Sequence, residues 1–144
     1  KFFFWLLIQD RLNTRDLLLR KNFYIENNIC ELCNNEPNEH LMHLFFSCDL
    51  SQNFWLALRF QLNIYYALTE MLMDGKKRSS IGFYKESLIA GCWSLWKHTN
   101  NIIFDNKTKS LAYCIACFKE HFDTIIKKAK PSLKEGMQTW LDPL

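Results

Sequence analysis

Four soft or borderline ligands crowd into nineteen residues: Cys30, Cys33, His43 and Cys48, in the order Cys-x2-Cys-x9-His-x4-Cys. Zinc takes four N or S ligands in a tetrahedron, and a structural site fills all four positions from the protein. The spacing therefore points to a structural Zn2+. A Cys-x-x-Cys turn presents two sulfurs to one ion, and Asn34-Asn35 behind it tolerate a left-handed backbone. His43 and Cys48 stand five residues apart, about 140° around an ideal helix. One regular helix cannot aim both inward, so the backbone should bend near Phe46-Ser47. His40 is an alternative third ligand, through Cys33-x6-His40-x7-Cys48. Four protein ligands leave no open position for water, so the expected zinc holds the fold and does no chemistry.

The rest of the chain can bury a sizeable core. It has 144 residues, 49% of them hydrophobic, with five Trp. That suits one domain, or one domain with a small satellite. The net charge of +3 is unevenly spread: residues 1–72 carry six Lys/Arg against eight Asp/Glu, and residues 73–144 carry twelve against seven. Six Cys in a long apolar chain, three of them at metal-ligand spacing, fit a reducing compartment better than a disulfide framework. The expected location is intracellular, nuclear or cytoplasmic. The longest apolar run, Phe2 to Ile8, is far short of the ~20 residues of a spanning helix, so no membrane partner is expected. Gln9, Asp10 and Arg11 follow it with no cleavage signal, and the chain reads as a piece of a longer protein.

Helical period dominates, and the expected class is mainly α: about six helices with a zinc-stabilised irregular segment near residues 28–49. Phe2 to Leu12 reads as a buried helix, apolar nearly all round. Thr14 is placed to cap the next, with Asp16 in its first turn and Leu17 to Leu19 behind; Asn22, Asn27 and Asn28 close the pair. Asp49 or Ser51 can cap a helix carrying Phe54, Trp55, Leu58 and Leu62 as one stripe. Residues 74–80 read as the clearest loop. They divide a zinc-binding helical region, 1–73, from a C-terminal helical region, 81–144, with one compact domain over both as the alternative. Tyr84 to Phe104 reads as a long helix with Ile89, Cys92, Trp93, Trp96 and Ile103 on its apolar side. Asp105 to Lys109 breaks it, Ser110 caps a further helix with Leu111, Cys114, Phe118, Phe122 and Ile125 inward, and Pro131 opens a last one with Leu133, Met137, Trp140 and Leu141.

Cys114, Cys117 and His121 share a helix face and could hold a metal, but Phe118 and Phe122 share it too, and no fourth ligand is evident. A core stripe with a rim His is the simpler reading. Trp93 and Trp96, one turn apart, likewise suit packing better than base stacking. No paired-carboxylate pattern, Gly-rich phosphate loop or nucleophile motif is present, so no enzyme activity is expected.

The set Phe3-Phe4-Trp5-Leu6, Asp10-Arg11-Leu12-Asn13-Thr14-Arg15-Asp16-Leu17-Leu18, Cys30-x2-Cys33, His43-Leu44-Phe45-Phe46-Ser47-Cys48 and Trp55 resembles a known family. It is similar to the zinc-binding domain that follows the reverse transcriptase in plant LINE-type (non-LTR) retrotransposons. Trp93-x2-Trp96-Lys97-x2-Asn100-Asn101-x-Ile103-Phe104 and the tail Ala129 to Asp142 resemble the downstream part of the same polyproteins. The resemblance implies a noncatalytic module that assists RNA or DNA engagement, with Cys30, Cys33, His43 and Cys48 as ligands and the upstream reverse transcriptase domain as neighbour. The charge pattern complicates this. No Lys or Arg lies between Lys21 and Arg59, whereas Glu26, Glu31, Glu36, Glu39 and Asp49 do. Phosphate attraction dominates nucleic-acid affinity, so the charge must come from Arg11, Arg15, Arg20 and Lys21, from Lys76, Lys77 and Arg78, or from Lys127, Lys128 and Lys130. The competing reading is a helical protein–protein interaction module that touches no nucleic acid.

Overall fold

The computed structural model describes residues 2–14, 21–22, 30–33 and 40–144. Among the described residues the regular structure is all helical: α1 (Phe2–Ile8), a π-helical turn (His43–Ser47), α2 (Asp49–Ala57), α3 (Leu68–Arg78), α4 (Tyr84–Asp105), α5 (Leu111–Lys128) and α6 (Pro131–Leu141). The expected helix at Asp16 and Leu17 to Leu19 lies outside the described residues, as do Arg15, Arg20, Asn27, Asn28, Asn34 and Asn35. No helix among the described residues is long and apolar enough to cross a membrane.

Local chemistry sets the helix ends. Ser110 caps α5, its hydroxyl accepting the Tyr113 backbone N–H at 3.1 Å, which satisfies one of the N–H groups a helix start leaves over. Lys127 and Lys128 sit in the last turn of α5, where the negative end of the helix dipole favours cations. Asn106 closes α4 with φ 54°, a left-handed position that Asn adopts more cheaply than most residues. Pro131 occupies the first turn of α6, where its missing N–H costs nothing.

The helices α4 and α5, joined by residues 106–110, pack along one another; α5 also packs on α2 and α6, and α4 meets α1 and the π turn. One hydrophobic cluster runs through all of them, from Leu7 to Leu141. Phe54, Phe118 and Phe122 are fully enclosed. The Trp140 ring of α6 touches Phe60, Phe83, Phe118 and Phe122, with centroids 5.3–6.4 Å apart. α4 comes close to α2 at Gly91, where a Cβ would stand 2.5 Å from the Trp55 ring.

Several expectations are corrected. α1 stops at Ile8, because Asp10 turns left-handed at φ 53°. Only Leu7 of α1 is buried, while Phe2 and Trp5 are 72% and 49% exposed. The inward face of α4 is not the large-residue side. Leu88, Cys92 and Leu95 are buried together with Ser87, Ala90, Gly91, Ser94 and Thr99, whereas Trp93 and Ile103 are exposed. Close helix packing selects small residues there, and the three hydroxyls satisfy themselves on the carbonyls of Phe83, Ala90 and Leu95. Residues 74–78 are helix, not loop. Gly75 is buried against Tyr84 and Leu62, and an Asp74–Arg78 ion pair at 2.6 Å ties the last turn. The connection falls at residues 79–83 instead. Cys48, rather than Asp49 or Ser51, occupies the cap of α2, and Leu62 lies beyond the end of that helix.

His98 clasps the α4–α5 junction. It is 1% exposed, and its Nε2 accepts the Ser110 backbone N–H at 2.9 Å, so the ring is neutral. Its Nδ1 is buried with no hydrogen-bond partner among the described residues. Burial holds its pKa below the ordinary value. The unfolded chain takes up a proton near pH 6.5 that the folded chain resists, so stability is lost as pH falls through about 6.5. His98→Gln keeps an acceptor without titrating, and its melting temperature should gain on the unaltered protein as pH drops from 7.5 to 5. A gap independent of pH would refute this. Gly91→Ala should cost about 1–3 kcal/mol by overpacking against Trp55. Gly136→Ala on α6, where a Cβ meets nothing within 4 Å, should stabilise by up to about 1 kcal/mol. Thermal denaturation of the two variants checks both.

Candidate metal centre

Residues 31–33 form a turn that carries Cys30 and Cys33 to one side, with Leu32 buried as its anchor. On the other side the chain changes helical pitch. The Leu44 N–H bonds the His40 carbonyl at 2.9 Å, one ordinary helical turn, and the Cys48 N–H then reaches five residues back to the His43 carbonyl at 2.8 Å. Closing the ring over five residues brings residue 48 about one turn below residue 43. This is the bend that the His43–Cys48 spacing demands, and π-helical turns of this kind cluster at functional sites.

A π turn leaves carbonyls for other donors, and α2 supplies them. Ser51 Oγ donates to the Leu44 carbonyl at 2.5 Å, Gln52 Nε2 to the Ser47 carbonyl at 2.7 Å and Trp55 Nε1 to the Phe45 carbonyl at 2.7 Å. Buried carbonyls need partners, so these three side chains hold the turn in its unusual pitch. Their part was not evident from the sequence, although they share one face of the helix that Cys48 begins.

The ligand atoms of Cys30, Cys33, His43 and Cys48 all lie within 4.8 Å of one another. Cys30 Sγ and Cys48 Sγ are 4.0 Å apart, and Cys33 Sγ lies 3.3 Å from His43 Nε2. A tetrahedron with Zn–S bonds of ~2.3 Å has an S···S edge of about 3.8 Å. The cluster is suited to hold a metal ion, with three thiols and one imidazole as a closed set. His40 stands aside. It is exposed, and its Nδ1 accepts the His43 backbone N–H at 3.2 Å.

The electrostatics favour a thiolate at Cys48. The hydrogen bond from Cys30 holds its pKa below the ordinary thiol value, aided against burial by the Leu50 and Ser51 N–H groups at the start of α2. The same sulfur–sulfur hydrogen bond, with burial, pushes Cys30 up. A thiol at a helix N-terminus is a ready metal ligand, and an arriving cation displaces the protons of the other two thiols.

Residues 1–55 match the family described as zinc-binding in reverse transcriptase. The match contains all four residues of the cluster and ends at Trp55. No curated protein and no solved structure matches the chain. The cluster offers a donor set of the kind that this family's description, zinc-binding, implies.

The other expected sites are placed differently. Cys114, Cys117 and His121 do not gather as a metal group among the described residues, and burial pushes the Cys114 thiol up to about 12. Arg11 lies over the Trp5 ring at 5.9 Å. Lys21 is exposed, and Lys76 and Lys77 are exposed on the last turn of α3. Arg78 is engaged, pairing with Asp74 and donating to the Gln61 carbonyl at 3.1 Å. Arg15 and Arg20 lie outside the described residues.

Native mass spectrometry should find one zinc per chain. Cys30→Ser, His43→Ala and Cys48→Ser should each lose it and about 3–5 kcal/mol of stability, roughly 10 °C in melting temperature. His40→Ala should keep both; zinc loss in that variant would put His40 among the ligands.

Proposed function

We propose that the chain is a noncatalytic, zinc-stabilised helical module of a LINE-type retrotransposon protein, working inside the cell beside its reverse transcriptase domain and assisting engagement of RNA or DNA. The observation that carries this is the coincidence of the family match over residues 1–55 with a closed Cys–Cys–His–Cys set. A closed set offers no position for water or substrate, so the metal's part is architectural. When bound, zinc would tie the Cys30–Cys33 turn to the start of α2 through its four ligands.

The affinity would come from charge elsewhere. Lys76 and Lys77 are exposed on α3, and Lys127, Lys128 and Lys130 are exposed around the end of α5. One observation favours the second reading, a protein–protein module. Phe2, Trp5 and Ile8 expose apolar side chains on α1 at 72%, 49% and 37%, a face that suits an apolar partner.

Fluorescence anisotropy with labelled single-stranded RNA and DNA separates the two. On the first reading, binding weakens roughly tenfold between 50 and 200 mM salt, as expected for about two phosphate contacts. Lys76→Glu with Lys77→Glu should weaken it further at an unchanged melting temperature. Salt-insensitive binding would contradict the electrostatic mechanism. No binding at low salt, with self-association through α1, would establish the second reading.

A further inference from the structure

A cavity of about 360 Å³ opens where the end of α2, the C-terminus of α3 and α6 converge. That is within the size range of small-ligand sites, ~300–1,000 Å³. Two guanidinium groups line it, Arg59 and Arg78, and among the described residues no carboxylate does. Arg59 follows α2 in a left-handed conformation, φ 65°. Its guanidinium lies over the Trp140 ring at 5.3 Å and donates to the Trp140 carbonyl. It has no carboxylate partner among the described residues, so its charge and remaining donors are uncommitted. Arg78 is held in place by Asp74 and by the Gln61 carbonyl. Tyr84 forms part of the same wall. It is 6% exposed, and its hydroxyl, buried against Gly75, has no hydrogen-bond partner among the described residues. A buried orphan hydroxyl is costly and rare, and it calls for an explanation such as a polar guest.

A second cavity of about 530 Å³ adjoins the first, sharing Phe60, Gln61 and Arg78 as common wall. It too is lined by no carboxylate among the described residues. Trp55 and Phe60 line it, and Tyr65 stands at its edge 92% exposed. An exposed aromatic ring beside a cationic pocket is the pairing that single-stranded nucleic acids use, with bases on π faces and phosphates on cations. Planar guanidinium forks suit phosphate oxygens better than ammonium groups do.

We infer that the two adjoining cavities form one groove for single-stranded nucleic acid, in which Arg59 and Arg78 hold a phosphate and Tyr65 stacks the neighbouring base. This rests on the nucleic-acid reading above and assigns it a site distinct from the lysines of α3. The guest is a phosphate ester of a nucleotide, internal or terminal. Stacking and phosphate contact carry no base code, so recognition is sequence-tolerant.

The test is anisotropy of 3′-fluorescein decauridylate, with and without a 5′-phosphate, on the zinc-loaded full chain. Arg59→Gln and Tyr65→Ala change exposed residues and should each weaken binding about tenfold. Tyr84→Phe should weaken it while raising the melting temperature, because an unpartnered hydroxyl is removed. A preference for the 5′-phosphorylated strand that vanishes in Arg59→Gln identifies the terminal phosphate as guest. Equal binding of both strands, weakened alike by Arg59→Gln, identifies an internal phosphodiester. Undiminished binding in all three variants, with loss only in Lys76→Glu/Lys77→Glu, overturns the groove and leaves the nucleic-acid reading standing. No binding by the unaltered protein overturns both.

Discussion

Cys48 is the point on which the structure turns. Its N–H closes the π turn on His43, its sulfur faces Cys30, and its carbonyl starts α2 by accepting the Gln52 N–H at 2.8 Å. Extended backbone at φ −62°, ψ 143° lets one residue do all three. The direction of α2 is thereby set from the same residue that presents the sulfur. Since α2 carries Phe54 into the α5 aromatic rings and Trp55 against Gly91, the packing of the C-terminal helices is registered on the cluster. Ser51, Gln52 and Trp55 complete the loop by bonding back to the turn that precedes them.

Charge and metal are separated along this chain. The stretch between Lys21 and Arg59 has no cation, and Cys48 draws its favourable electrostatics first from the Cys30 thiol and then from backbone N–H groups at the start of α2, not from a Lys or Arg. On the proposed reading the two jobs are divided: the cluster fixes helix directions, and guanidinium and ammonium groups further along meet the phosphates. Neighbouring cations would favour the thiolate, but they would also repel an arriving Zn2+, and backbone dipoles avoid that conflict.

Much of this was legible in the chain, for identifiable reasons. Five-residue spacing between His43 and Cys48 is incompatible with a regular helix, so a bend was readable although its π character was not. Ser110, Asn106 and Pro131 act within one turn of themselves, and end signals of that range can be read locally. The face of α4 could not. Trp93 and Ile103 outrank Gly91 and Ser94 on any hydrophobicity scale, and only the Trp55 ring across the contact makes small residues necessary. Residues 74–78 misled for a related reason: Asp-Gly-Lys-Lys-Arg has loop composition, yet Gly75 is required by the approach of Tyr84, and three basic residues complement a helix C-terminus. Arg59 gave no signal, being a lone cation whose neighbour Trp140 is 81 residues away.

The family match stops at Trp55, but the fold does not. That ring stacks on Phe46 at 5.8 Å, meets Phe60 edge-on at 5.2 Å and fills the space over Gly91. The last matched residue is thus the joint between the metal segment and the helices after it. A boundary drawn by similarity here cuts through a side-chain contact rather than through a linker. A fragment ending at residue 55 would carry every metal donor and still lack the wall its tryptophan leans on. Residues 56–144 supply the other half of the same core.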